Sequence, residues 1–423
     1  MPLASAPSLT RLVEVVRKNP DYRRLFLANL ISQLGDWFNV VALFSLLLEL
    51  TGRGESVAYV LVCHLVPMFV AGPVAGVVAD RYSRRAILVA ADFARGAVVL
   101  GFLFIRTPSL APLAYVLVAL QSTLSAFAEP AQQATFPNLV APEDLVVASA
   151  LENSLWSTTL AVGSALGGLL MLQLGRGMVF GLDAASYVIS GLMLRGLPAR
   201  VAGRQPRNEA PADAGLLHAL GLTDFLDGVG YLSGHPRIRA LILVKGGFGL
   251  TLGGVLVLLA FFGERVFGGS HGSGIAMLWT ARGVGSFLGP FVAWRLGGDS
   301  PSALRRGITG AFAMVCISYL VFSRVPTLLL AAPILAVANA GGSILWTYGS
   351  SLQALLVPDA YRGRVAAADM GCMTLTMAGS TLLVGHLLDA GYPPRTLMCA
   401  CGLVALLPIA FWLAAQRHFR AAE

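Results

Sequence analysis

The chain has 423 residues, of which 56% are hydrophobic and 12% charged, with a formal net charge of +8 and a mean hydropathy of +0.73. Soluble domains are roughly 25% charged, and none hides this much apolar surface, because its outer layer must still be wetted. The same arithmetic excludes a disordered chain, a coiled coil and a basic nucleic-acid module, and leaves a lipid bilayer as the solvent.

Each crossing of a bilayer needs about 20 mainly apolar residues in a helix, whose backbone groups satisfy one another where lipid offers no partner. Ahead of the first such stretch, Ser8–Lys18 reads as a short interfacial helix. A cleavable signal peptide is not expected, since the first apolar stretch begins late, is long and carries Asp36 in its middle. Six spans follow: Arg24–Glu49, Val57–Ala79, Ile87–Ile105, Leu110–Phe136, Leu145–Leu174 and Met178–Leu197. From Pro198 to Arg237 the composition changes. Pro198–Gly215, rich in Pro, Ala and Arg, reads as a solvated linker, and Leu216, Leu217, Leu220, Phe225, Leu226, Val229 and Leu232 recur as one face of an amphipathic helix at the inner membrane surface. Six more spans complete the chain: Ile238–Phe262, Gly272–Arg295, Arg305–Phe322, Thr327–Leu352, Val365–Leu388 and Thr396–Leu413.

Basic residues set the orientation. Arg11, Arg17, Lys18, Arg23 and Arg24 precede the first span; Arg81, Arg84 and Arg85 follow the second; further groups lie at Arg195–Arg239, Arg295–Arg306, Arg362–Arg364 and Arg417–Arg420. All fall on one side, so both termini are expected in the cytoplasm. The loop at Pro142, with Glu143 and Asp144 and no base, departs from the pattern. The five cysteines lack zinc or redox spacing and are read as packing residues, and His64 and His386 as packed or hydrogen-bonded.

The halves look like a duplication. Pro142 and Pro358 are 216 residues apart, as are Gly163-Ser164 and Gly379-Ser380, while Gly72-Pro73 and Gly289-Pro290 are 217 apart. The fold class predicted is an all-α membrane protein of twelve transmembrane helices in two pseudo-symmetric six-helix bundles. Its divisions are an N-terminal cytoplasmic segment (1–23), a first bundle (24–197), a linker (198–237), a second bundle (238–417) and a tail (418–423). Parallel halves of this kind are expected to hold a binding cavity between them and to work by rocking.

Between spans two and three, Gly76-Val-Val-Ala-Asp80-Arg81-Tyr-Ser83-Arg84-Arg85 resembles the G-x-x-x-D-R-x-G-R-R loop (motif A) of the major facilitator superfamily, with Ser83 in place of the second glycine. In span five, Gly163-Ser164-Ala-Leu-Gly167-Gly168 resembles the G-P-x-x-G-G antiporter signature (motif C), with Ser164 at its proline. Phe127-Ala-Glu-Pro-Ala131, Leu139-Val-Ala-Pro142-Glu-Asp144, Leu182-Asp183-Ala-Ala-Ser-Tyr187 and Arg362-Gly-Arg364-Val365 extend the likeness to a branch that holds macrolide efflux pumps and the enterobactin exporter. The resemblance runs from about Tyr22 to Arg417. It implies the major facilitator fold, a bacterial cytoplasmic (inner) membrane, and a monomer whose partners are a small organic substrate, protons and lipids. No cofactor or metal is implied; the proton gradient supplies the energy. On the motif A pattern, Gly76 shapes a tight turn, Asp80 faces the start of span eleven, and Arg81, Arg84 and Arg85 bridge to acids on neighbouring inner helix ends, forming a cytoplasmic gate. Gly163, Gly167 and Gly168 would let two helices approach closely.

Ionisable groups inside spans cost a few kcal/mol on insertion scales, so they line water, pair or work. Asp92 and Arg95, one turn apart, read as a buried ion pair, with Asp36 as the other partner open to Arg95. Glu152 and Asp369, 217 residues apart, read as equivalent gate acids suited to Arg84, Arg85 or Arg364. Asp36 and Glu129 have no charged counterpart 216 residues on, where Leu252 and Leu345 stand, and are the candidates for proton coupling. Lys245 and Arg282 can counter these acids or bind an anionic substrate group. With Trp37, Phe38, Phe127, Trp156 and Trp346 they form the candidate substrate cavity; Trp279 and Tyr348 are further aromatic candidates. The predicted function is a proton-coupled exporter of amphipathic compounds such as drugs. The alternatives are a siderophore or lipid-like metabolite exporter, an importer of a small organic solute, or a non-transporting sensor. No HExxH, phosphate-cradling loop or metal-ligand cluster points to an enzyme.

Overall fold

A computed structural model of the chain describes residues 9–198, 222–296, 300–358 and 361–420; the side chains of a few positions within these, Asp80 among them, lie outside the description. Regular structure among the described residues is entirely helical, as a chain without water for its backbone requires. In chain order the helices are α1 (Leu9–Lys18), α2 (Pro20–Thr51), α3 (Gly54–Arg81), α4 (Arg84–Leu100), α5 (Ala111–Thr135), α6 (Leu145–Arg195), α7 (Leu222–Gly234), α8 (Pro236–Phe261), α9 (Ser273–Leu296), α10 (Pro301–Phe322), α11 (Leu328–Leu356), α12 (Arg362–Asp389), α13 (Pro394–Val404) and α14 (Leu406–Arg420). Among the described residues, eleven helical stretches are long and apolar enough to cross a membrane. One of them, within α6, is broken at Gly175, whose φ of 77° and ψ of 166° lie outside helical space and suit only glycine. The arms 145–174 and 176–195 correspond to spans five and six, giving twelve crossings. The last crossing is α13 and α14 together, interrupted just ahead of Pro408, which lacks the N–H that would continue the ladder.

Contacts divide the chain into two compact units, Met1–Ala42 with Pro67–Leu220 and Leu43–Val66 with Gly221–Glu423. The tip of the α2–α3 hairpin, which chain order places among the first six spans, thus packs with the second unit.

In unit one, α1 is anchored by Val15, buried against Tyr22, Leu25 and Ala28 of α2, Ala79 of α3, Leu88 of α4 and Ala148 of α6. Helices in lipid gain nothing from excluding water from one another, so they associate by close packing at small residues. On the first arm of α6, a Cβ on Gly163 would lie 2.8 Å from Trp37 Cβ, and one on Gly167 3.0 Å from Phe38 Cα. Gly168 is buried on the same arm. Gly35 of α2 sits against the second arm, where a Cβ would lie 2.2 Å from Ser186 Oγ.

In unit two the equivalent pair is α8 with α12, but the small residues have moved to the other helix. Added Cβ atoms would lie 2.5 Å from Cys372 Sγ at Gly246, 2.6 Å from Thr376 Oγ1 at Gly249 and 2.2 Å from Met377 O at Gly253. Gly379, the counterpart of Gly163, faces open space. The linker helix α7 docks on unit two: Leu232 packs with Ile238, Val357, Val365 and Ala368. Tyr231 stacks on Tyr361 at 4.1 Å, and Gly228 sits so close to α12 that a Cβ would be 2.5 Å from Arg364 O. The expected amphipathic helix is therefore seated on a helix end over its described part, while Leu216, Leu217 and Leu220 lie outside the described residues.

Substituting Gly253→Ala forces α8 from α12 and is expected to cost about 1–3 kcal/mol, the usual penalty of overpacking. Gly379→Ala, placed in open space, is expected to leave stability unchanged or raise it slightly. Thermal unfolding of the two variants in the same detergent checks the contrast.

Candidate functional site

The polar groups of unit one converge from α2, α4, α5 and α6. Tyr187, on the second arm of α6, donates its hydroxyl to Asp36 Oδ1 on α2, and Gln121 of α5 donates to the same oxygen at 3.3 Å. The Gln121 amide also reaches the Tyr187 hydroxyl at 3.1 Å. Arg95 of α4 lies over the Tyr187 ring, 4.6 Å from its centroid, and donates to Asp92 and, at 3.3 Å, to Ser125 Oγ. Ser190 donates to the other oxygen of Asp92 at 2.5 Å. Asp92 and Arg95 are thus the expected i,i+3 pair, and the guanidinium also caps the ring that holds Asp36. One turn along α2, Asn39 donates to Asp183 Oδ2 at 2.7 Å; Asp183 is fully buried and its Oδ1 has no hydrogen-bond partner. Glu129 stands apart on α5, exposed and without a described hydrogen bond.

Glu152 does not meet Arg84 or Arg85. Its carboxyl group is faced by the hydroxyl of Tyr22 and the amides of Gln132 and Asn29. Arg84 is buried and donates to the carbonyl oxygen of Ala134 at 2.9 Å, a bond to backbone where a bridge to an acid was expected. Arg81 is exposed and Arg85 half-buried. Gly76 lies inside α3 with open space at its Cβ position, so no tight turn depends on it. The turn itself is made by Ser83, at φ −62° and ψ 115°, whose hydroxyl accepts from Ala86 N and caps α4; a conformation open to any residue explains why serine replaces glycine. The side chain of Asp80 lies outside the described residues.

In unit two Asp369 is joined not to Arg364 but to Lys245, which donates to it across the α8–α12 contact. Both are buried, with 2% and 5% exposure, and Lys245 also reaches Gln353 Oε1 at 3.4 Å and lies 4.4 Å from the centre of the Trp346 ring. Lys245 is therefore committed to unit two and is not held out for an anion. Arg364 sits over Tyr361 at 5.7 Å. Arg282 is buried over Trp279 at 4.8 Å, and Trp279 packs edge-on to Phe44 at 5.6 Å. Of the other aromatic candidates, Trp37 is half-buried and donates to Thr159 at 3.3 Å, with Trp156 edge-on at 5.9 Å. Trp156 and Trp346 are exposed, Phe38 and Phe127 half-buried. Tyr348 is a packing residue whose hydroxyl donates to Ala293 O at 2.6 Å.

A further cluster holds the α2–α3 tip to the end of α12. Asp389 accepts from the backbone N–H groups of Gly54 at 2.6 Å and Glu55 at 3.2 Å, capping α3 from another helix, and from Arg53 Nε at 3.1 Å. Arg53 also donates to Glu55 at 2.6 Å, and the hydrogen bond and charge of Asp389, with that of Glu55, raise its guanidinium above the ordinary arginine range. His386 Nδ1 is 3.0 Å from Glu55 Oε1.

Sequence reasoning misses Asp183, Tyr187, Gln121, Asn39, Asn29 and Gln132 as site residues. For Asp183 and Tyr187 the available signal was their place in the Leu182–Tyr187 segment that extends the family likeness, and for Asp183 also an acid inside a span; a lone amide in a span carries none.

This geometry sits on a recognisable fold. A variant of the nucleoside transporter NupG superimposes with a TM-score of 0.72 at 15% identity, covering 93% of this chain and 99% of that one. A peptide transporter POT variant gives 0.75 at 12% identity, covering 98% and 99%. Among sequences, the uncharacterized MFS-type transporter YfiS of Bacillus subtilis (strain 168) is 25% identical over 90% of both chains. The uncharacterized MFS-type transporter YkuC of the same strain is 26% identical over 58% of this chain and 57% of its own. The enterobactin exporter EntS of Shigella boydii serotype 18 is 29% identical over 55% of this chain and 54% of its own. The chain thus spans just over half the length of YkuC and EntS. The family described as transmembrane secretion effector matches residues 17–423, nearly the whole chain. The protein is an integral multi-pass membrane protein of the major facilitator superfamily and belongs to its transmembrane secretion effector family.

Proposed function

We propose that the protein is a proton-coupled antiporter that exports an amphipathic organic compound from the cytoplasm by alternating access, residing in a bacterial cytoplasmic membrane with both termini inside. The observation that carries the coupling is the uneven charge of unit one, where Asp36, Asp92, Glu129 and Asp183 share the spans with Arg95 as their described base. A single guanidinium, already paired with Asp92, cannot neutralise four carboxyl groups, and protons are the remaining source of positive charge. Asp36 is placed to report its own protonation. When ionised it accepts from Tyr187 and Gln121 at one oxygen; when protonated it gains an O–H donor and keeps acceptor capacity at the other oxygen, which changes the hydrogen-bonding available to its neighbours. The family description and the EntS relationship support outward transport.

A second reading, export of a siderophore-like compound, is favoured by the same EntS match. The commitment of Lys245 to Asp369 weighs against a cargo whose acidic groups would need that lysine. A thermal-shift screen of macrolides, ethidium and a catecholate siderophore against the purified protein separates the two by which class stabilises it.

Inverted vesicles with an acidic lumen are expected to accumulate ethidium or a macrolide through the wild-type protein. Accumulation is expected to fall to the protonophore-treated level in the Asp36→Asn, Glu129→Gln double variant. Undiminished accumulation would remove both residues from coupling.

The Asp389 cluster is proposed to close the external end of unit two. Asp389→Ala removes the cap from α3, a loss of about 1 kcal/mol, which speeds amide exchange at Gly54 and Glu55 about five-fold. Hydrogen-exchange mass spectrometry over residues 52–60 reads the change, with Asp389→Asn expected in between.

A further inference from the structure

The internal repeat, laid over the two units, sets Glu152 against Asp369 and, one residue different in offset, Asn29 against Lys245. These are not scattered equivalences. In unit one the acid lies on the first arm of α6 and the amide on α2; in unit two the acid lies on α12 and the lysine on α8. In each unit the same helix pair is held at close range by glycine, so the acid of one helix is delivered to the same place on the other.

What it meets there differs. In unit two it meets a cation: Lys245 donates to Asp369, and both are buried. In unit one it meets Asn29, which is neutral, together with the Tyr22 hydroxyl from α2 and the Gln132 amide from α5. The repeat partners of these two are Ile238 and either Tyr348 or Gly349, and Tyr348 gives its hydroxyl to Ala293 O, so neither stands in for Tyr22 or Gln132 at Asp369. No charged side chain is described facing Glu152, and Tyr22 is the one titratable neighbour among the described residues. On α1, Lys18 pairs with Glu14. Glu152 Oε1 and Asn29 Nδ2 are both buried and make no hydrogen bond; Asp369 Oδ1 of unit two is likewise buried without one. Glu152 as a whole is half-buried.

The chemistry of the two pockets is opposite. Protonating Asp369 would strand a buried ammonium, a cost that holds the pair ionised. Protonating Glu152 strands nothing. Amide and hydroxyl groups both donate and accept, so Asn29, Gln132 and Tyr22 can serve a carboxylate as donors and a carboxylic acid as acceptors. We propose that Glu152, with Asn29, Tyr22 and Gln132, is a proton-binding site of this protein, and that asparagine at position 29, where the repeat has lysine, is what makes it one. Asp369 is the fixed counterpart. The site rests on the antiport reading only for what the bound proton does in transport; the binding itself stands on the geometry of unit one. Glu152 thereby changes from a gate acid to a third candidate carrier beside Asp36 and Glu129.

The test is infrared difference spectroscopy of the purified, folded protein in lipid nanodiscs, titrated from neutral to acid pH with no substrate present. The wild type is expected to gain a protonated-carboxyl band, one component of which is missing in Glu152→Gln. Asn29→Lys rebuilds the pair of unit two and is expected to remove the same component or move it to markedly lower pH. Lys245→Asn, the reciprocal change, is expected to add a component from Asp369. A Glu152→Gln spectrum identical to the wild type would overturn the site. An Asn29→Lys spectrum with that component unmoved would overturn the role of position 29. Because no transport is measured, a vesicle assay showing no proton-driven flux would sink the antiport reading and leave these spectra to decide the site.

Discussion

A charge carried into a bilayer has to be met by another group, because lipid cannot solvate it, and each unmet charge costs a few kcal/mol even on the mildest scales. That demand organises both units. Unit two answers with a closed pair, Lys245 on Asp369, shielded by the Trp346 ring and glycine-lined contacts. Unit one answers with a network in which Arg95 serves Asp92 directly and, through the face of Tyr187, supports the hydroxyl that holds Asp36. The same constraint, met with more acids than bases, yields a cluster that has reason to take up protons.

These contacts exist only because the helices come close enough for short side chains to reach across. Close approach is set by glycine, and the two units place it on opposite members of the same helix pair: Gly163 and Gly167 on the later helix in unit one, Gly246, Gly249 and Gly253 on the earlier helix in unit two. Backbone separation is preserved while the residue that permits it has changed sides. The freed positions then diverge. Gly379, no longer needed for contact, faces open space, and in unit one the large residues Trp37 and Phe38 rest on the glycines of α6.

Spans, their number and the break between the fifth and sixth were legible because they follow from composition and from a glycine that a continuous helix does not need, Gly175. The pair Asp92–Arg95 was legible because helical spacing alone brings i and i+3 together. Pairing between helices was not. Asp369 suits Arg364 by nearness in the chain, yet it is bound to Lys245, more than a hundred residues away, since only the α8–α12 crossing decides which side chains share a depth. Arg84 reaching a carbonyl oxygen, and Gly76 lying inside α3, are failures of the same kind: a motif names residues but not the rotation of the helix that carries them. Tyr187 and Gln121 escaped because a neutral polar side chain becomes informative only once the acid beside it is known.

Symmetry sharpens the functional question more than any single residue does. A duplicated transporter begins with two copies of each intramembrane charge, and a copy that serves only to hold helices together has no reason to lose its partner in one half. The acid at 152 and 369 has survived in both halves while its partner is asparagine in one and lysine in the other. A fixed ion pair resists any change of protonation, which suits a helix contact that must stay closed through a transport cycle. An acid among neutral amides has the opposite property, since gaining or losing a proton changes its bonding without stranding a charge. The division of labour between the units is therefore written at position 29, in the choice between an amide and an amine, rather than in the acids themselves.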